Sequence, residues 1–151
     1  MHRLREAMRD GTLAPMGGAG SIVEADETYI GRLEGQPKRK AGFGHKNTVL
    51  TLVERGGRAR SFHVDNPSVA TVVPIVRKNI AREAALMTDE ATVYKRVGSE
   101  FASHDTVAHG KDEYVRYEGE RTIHTNTVVG YYSVFKRGMS TAVGFQASVA
   151  E

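Results

Sequence analysis

The stretch His124-Thr125-Asn126-Thr127-Val128-Val129-Gly130-Tyr131-Tyr132-Ser133-Val134-Phe135-Lys136-Arg137 restricts what this chain can become more than any other. Drawn as a helix, it gathers Val128, Tyr131, Tyr132 and Phe135 on one face, the i, i+3, i+4, i+7 spacing of a helix laid on a core. Thr125 is placed to cap it, because its hydroxyl can accept from an unpaired first-turn N–H. The opposite face carries Asn126, Val129, Ser133 and Lys136. Val129 is the exception there: it stands one turn after Asn126 and two turns before Lys136, where a polar side chain is expected.

The core this helix needs is read from the strands before it. Ser21–Ile30 reads as a strand with Ile22, Glu24 and Asp26 on one side and Val23, Ala25 and Glu27 on the other. Asn47–Glu54 has the unbroken apolar character of a strand buried on both faces. Gly56-Gly57 signals a hairpin into Arg58–Val64. Asn66-Pro67 predicts a helix start, with Val69, Val72, Val73, Val76 and Ile80 as its apolar stripe and a kink or restart at Pro74. A short buried strand over Ala84–Asp89, a brief helix over Ala91–Val97 and a strand over Ser103–Ala108 follow. His109–Gly119 reads as a polar loop, and a short helix ending near Leu13 precedes the first strand. The order β-β-β-α-β-α-β-α predicts an α/β fold with a sheet of mixed sense.

Composition sets outer limits. A single domain of 151 residues buries roughly 70% of its unfolded surface, enough for a core. The chain has no cysteine, which excludes a disulfide framework and a Cys-based zinc ribbon. There is no apolar run of membrane-spanning length and no signal-peptide pattern at Met1–Glu6, so a cytoplasmic protein without a membrane partner is expected. Net charge is +3, compatible with a polyanionic partner, and Lys38-Arg39-Lys40 in the Gly31–Gly44 loop forms the densest basic cluster.

Asp26 lies within its strand and Asp89 ends another. If those strands are neighbours, both carboxylates reach the same end of the sheet, with the last helix packed across it. Hard divalent cations take such oxygen ligands and leave positions for water and phosphate. On spacing alone, however, Asp89 also reads as a helix cap and Asp26 as half of a salt bridge on an edge strand. His63, His104 and His109 read as structural histidines, and His124 as a residue that helps to fix the start of the last helix.

Four ordered segments narrow the choice: Val23-Glu24-Ala25-Asp26-Glu27-Thr28-Tyr29-Ile30-Gly31, Thr88-Asp89-Glu90, His109 with Glu113-Tyr114-Val115, and His124-Thr125-Asn126-Thr127 followed by Ser133-Val134-Phe135-Lys136-Arg137-Gly138. Together they resemble the DDE-type transposases of bacterial insertion sequences, over about Arg5 to Met139. The resemblance implies a ribonuclease-H-like catalytic core over residues 1–139 and metal-dependent DNA strand cleavage and transfer with Mg²⁺ or Mn²⁺. Its partners would be the insertion-sequence ends and target DNA, and homo-oligomerisation stays open. Asp26 and Asp89 match the family's first two metal-binding carboxylates. Lys136 matches its basic residue for a DNA phosphate, beside Arg137, Lys38, Arg39 and Lys40. The family's third ligand, Glu or in some members Asn, falls at Val129. Asn126, one turn earlier on the same face, is the candidate replacement, and Glu24 is placed to support the site rather than to ligate metal. The family's N-terminal DNA-binding region is expected to be absent, and residues 140–151 are expected to form a divergent, disordered tail. The alternative is a catalytically inactive transposase remnant that binds DNA and metal weakly.

Overall fold

Strand β1 (Ile22–Ile30) is the centre of the molecule. The computed structural model describes residues 14–31, 35, 46–108 and 115–141, with the side chains of 138–141 excepted. β1 pairs antiparallel with β2 (Asn47–Glu54), which pairs antiparallel with β3 (Ala59–Val64) across the Gly56-Gly57 turn. Its other edge pairs in parallel with β4 (Ala85–Asp89), which pairs in parallel with β5 (Ser103–Val107). The five-stranded order is therefore β3-β2-β1-β4-β5. Helices α1 (Val69–Asn79) and α2 (Thr92–Gly98) provide the crossovers that parallel strands require. This is the helix-flanked mixed sheet of a ribonuclease-H-like fold.

The two faces of the sheet are filled differently. Val23, Ala25, Leu50, Leu52 and Leu86 pack with Val72, Val76, Ile80, Val93, Tyr94 and Val97 of the α1–α2 layer, forming the main core. The opposite face is covered by α3 (Asn126–Thr141), whose Val128 and Tyr132 are buried against Val53 while Phe135 packs on Ile30 and Val49. β2 is consequently buried on both faces from Asn47 to Val53, as its apolar run requires. Among the described residues no helix is long and apolar enough to cross a membrane.

Three details differ from the sequence reading. The first helix opens at Val69 with Ser68 as its N-cap residue, because Asn66 Oδ1 instead accepts the Ser68 N–H in a local turn. Val69 is thus outside the buried stripe, at 42% exposure. The helix also runs through Pro74 without a restart. Pro74 and Ala70, whose carbonyl loses its usual partner, both face solvent, so water can take the missing bond. Third, the stretch read as polar loop, His109–Gly119, contains strand β6 (Arg116–Glu118), which forms a hairpin with β7 (Arg121–Ile123) just beyond it. It is held to the sheet edge by Arg116 donating to the Thr106 carbonyl at 3.0 Å and Arg121 pairing with Asp105 at 2.6 Å. Strands of three residues are too short to show an alternation. The N-terminal helix expected before Leu13, and residues 142–151 of the tail, lie outside the described residues.

Gly98 is needed for close approach rather than for an unusual φ. A Cβ added there would stand 2.0 Å from His104 Nδ1 and 2.9 Å from His104 Cβ, an atom fixed to β5. His104 cannot move away cheaply, since its Nε2 lies 2.8 Å from the Thr88 hydroxyl. Gly98→Ala is expected to destabilise the fold by about 2–3 kcal/mol through overpacking, read as a lowered Tm. An unchanged Tm would show that α2 and β5 separate freely.

Candidate active site

The ladder between β1 and β4 pairs Ile22 with Ala85, Val23 with Leu86 and Glu24 with Met87. Beyond it the strands keep different neighbours: β1 continues along β2, and β4 continues along β5 to the Asp89–Val107 pair. Two residues past the last rung, on one face of the sheet, come Asp26 and Asp89. This is the place where successive connections leave in opposite directions, the usual position of a site in an open α/β sheet.

A third carboxylate joins them. Asp26, Glu27 and Asp89 each present an oxygen within 4.8 Å of the others. Strict alternation puts Glu27 on the α2 side, and its Oε1 does accept from the Tyr94 hydroxyl at 2.7 Å. Because β1 and β4 have parted there, its carboxylate meets the other two across the opening. Local bonds orient the group. Asp26 Oδ1 accepts the Glu27 N–H at 2.8 Å, and Asp89 Oδ1 accepts the Ala91 N–H at 3.0 Å just before α2.

The electrostatics follow from crowding. Burial first, then Asp89 and Glu27, push the Asp26 carboxyl up from 3.8 to about 7, against the opposing Glu27 N–H and Lys136. Burial also raises Glu27, with the Tyr94 hydrogen bond partly offsetting it. Tyr94 itself is raised well above the ordinary phenol range, chiefly by burial and then by Glu27, so it remains a neutral donor. Tyr132, likewise raised by burial, donates its hydroxyl to the Asp26 carbonyl. Half-buried anions gathered beside one lysine form a donor set suited to a hard divalent cation.

The ISXO2-like transposase domain matches residues 17–147. The chain belongs to this transposase family. No curated protein and no solved structure matches it. Family membership and the acidic cluster together support a DDE-type nuclease in the general sense, and with it an interaction with DNA.

Within the transposase domain, the candidates named from sequence take different places. Asp26 and Asp89 converge. Lys136 is exposed on α3 and acts on Asp26 through its charge. Val129 stands on the same face of the helix, 47% exposed. Asn126 opens α3, exposed, with its N–H donating to His124 Nδ1 at 3.1 Å. Arg137 folds back on its own helix to Ser133 Oγ at 3.2 Å. Lys38, Arg39, Lys40 and His109 lie outside the described residues. Glu27 and Tyr94 were missed as site residues. The signal for Glu27 was its adjacency to Asp26 near the end of a strand, where alternation no longer separates the faces.

The raised Asp26 carboxyl has a sign that can be tested. Below about pH 4 the group is protonated in folded and unfolded chains alike and carries no penalty. Between about 4 and 7 the unfolded chain releases the proton while the folded chain retains it, so stability falls, by on the order of 4 kcal/mol in full. In EDTA, the parent is expected to lose more stability than Asp26→Asn as pH rises through this window, measured by urea melts. Parallel pH profiles for the two proteins would refute the crowding.

Proposed function

We propose that the chain is the catalytic domain of an insertion-sequence transposase that cleaves DNA and transfers the strand at a Mg²⁺ or Mn²⁺ centre. The convergence of Asp26, Glu27 and Asp89 within 4.8 Å carries this reading. Asp26 and Asp89 would ligate the metal, with Glu27 supplying a third carboxylate that Tyr94 holds in place. Asn126, at the start of α3, would be the alternative third donor through its side-chain oxygen. A metal bound here would activate the attacking oxygen and stabilise the leaving one. Lys136 would hold a non-bridging phosphate oxygen, and Arg137 with Lys38, Arg39 and Lys40 would neutralise neighbouring phosphates. Cleavage breaks a P–O3′ bond as a water oxygen bonds to phosphorus. The freed 3′-hydroxyl then joins a target phosphate by the same exchange.

Val129 favours a second reading. Valine has no donor atom for the position where the resemblance places the family's third ligand, so the chain would be an inactive remnant that binds metal and DNA weakly.

Mn²⁺-dependent nicking of supercoiled plasmid separates the two. An active parent is expected to lose at least about a hundredfold in rate on Asp26→Ala, and Glu27→Gln and Asn126→Ala would show which group is the third donor. Activity confined to Val129→Glu would establish the remnant. Mn²⁺ affinity unchanged by Asp26→Ala would remove the metal centre altogether.

A further inference from the structure

Glu24 is a carboxylate with no exposure, on a strand two residues from the acidic cluster, yet it is not a member of that cluster. Its Oε1 accepts from Arg55 Nε at 2.7 Å and its Oε2 from the backbone N–H of Val128 at 2.9 Å. Arg55, in the turn after β2, spends its remaining donors on the same neighbourhood. It reaches the Thr122 carbonyl at 2.9 Å, the His124 carbonyl at 2.8 Å and Met87 Sδ at 2.9 Å. His124 lies beside the pair, its Nδ1 3.3 Å from Glu24 Oε1. That nitrogen already accepts the Asn126 N–H, so it presents a lone pair and not a proton on that side. His124 therefore caps the start of α3 and is not a hydrogen-bond donor to Glu24 through that nitrogen. The single charged partner of Glu24 among the described residues is Arg55.

We propose that Glu24 and Arg55 are a positioning pair: they fix the rotation and axial setting of α3 on the sheet, and thereby the place of Lys136 and of position 129 relative to Asp26. The proposal rests on the metal-centre reading for its catalytic consequence. Its geometric content stands on the bonds above.

α3 touches the sheet through Val128, Tyr131 and Tyr132 beside Val53 and Phe135 on Ile30 and Val49, and its tyrosine hydroxyls reach the Asp26 carbonyl and Ser61 Oγ. The apolar contacts hold the helix down but are non-directional and tolerate sliding, and the two hydroxyl bonds are made at the ends of tyrosine side chains that can turn. A slip of one residue moves an α-helix about 1.5 Å along its axis and turns it about 100°. That would carry the face bearing Val129 and Lys136 away from Asp26. Glu24 and Arg55 oppose it: Glu24 holds the Val128 N–H within α3, and Arg55 holds the Thr122 and His124 carbonyls of the segment leading into it, backbone atoms that have no freedom to follow a turning side chain. A buried ion pair is weak support for stability, since desolvation offsets most of the attraction. Its use here is directional. It also separates the two acids on that face of β1: Glu24 anchors the helix, and Asp26 faces the site.

The absence of cysteine makes the test direct. Nitroxide labels at Ser133→Cys on α3 and Lys78→Cys on α1, both exposed, report the setting of α3 by electron–electron distance. The parent is expected to give one narrow distribution. Arg55→Lys and Glu24→Gln should broaden or shift it, whereas Arg77→Gln, which opens the exposed pair with Glu100, should not. A narrow, unmoved distribution in Arg55→Lys and Glu24→Gln with only a lower Tm would overturn the proposal. If neither variant folds, hydrogen exchange in the parent decides. The Val128 amide should exchange as slowly as amides of β2, and fraying typical of a first helical turn would refute the anchor. In whichever chain cleaves DNA, Arg55→Lys should lower kcat roughly tenfold or more while KM for DNA stays within about twofold. If no chain binds Mn²⁺ the metal reading fails, while the distances and exchange still decide the setting of α3.

Discussion

β1 is hydrogen-bonded to β2 from Val23 to Ile30 and to β4 as far as Glu24, and helices cover both faces of its sheet, so each of its side chains has one destination. Val23 and Ala25 go to the α1–α2 layer, where apolar volume is required. Glu24 and Asp26 go to the α3 layer, where each acid needs a partner or must lie near the surface. Glu24 is wholly buried and has its partner in Arg55. Asp26 is only partly buried and lies where β1 and β4 part. Much of the remaining architecture answers these demands: β2 and its turn deliver Arg55, β4 delivers Asp89, and α3 closes over both acids.

The same placement gives the site its chemical character. Negative charge collects at the end of the sheet because the backbone geometry brings three acids there, and the surroundings do little to neutralise it. Tyr94 and Tyr132 supply neutral hydroxyl donors that orient a carboxylate and a carbonyl without adding charge. Among the described residues Lys136 is the cation that acts on Asp26, and it is outweighed by burial and by the two neighbouring acids. A proton at near-neutral pH or a divalent cation relieves that repulsion. A nuclease exploits the second solution, because the cation then serves the phosphate as well as the protein.

Much of this was legible in the order of residues. The double burial of β2, the Gly56-Gly57 turn and the stripe Val128, Tyr131, Tyr132 and Phe135 each follow from local periodicity, which a chain displays whatever its partners. Asp26 and Asp89 were legible as a pair once the motifs were read together. The β6–β7 hairpin was not, because its three-residue strands are held by Arg116 and Arg121 bonding to β5, far away in sequence. The start of α1 was misread for a similarly local reason: Asn66 can satisfy either a helix or a tight turn, and the turn took it.

The sequence by itself determined the five strands of the main sheet, the helices around them, their order and the placing of Asp26 and Asp89 at the sheet end, because hydrophobic periodicity and strand alternation are properties of neighbouring residues. Tertiary structure alone decided which acid does what. Alternation grouped Glu24 with Asp26 and set Glu27 apart, whereas the folded chain gives Glu24 to the helix anchor and brings Glu27 into the cluster. The reason is that a carboxylate's role depends on the donors and charges around it. Arg55, Val128, Tyr94 and Asp89 come to those positions only when distant segments pack.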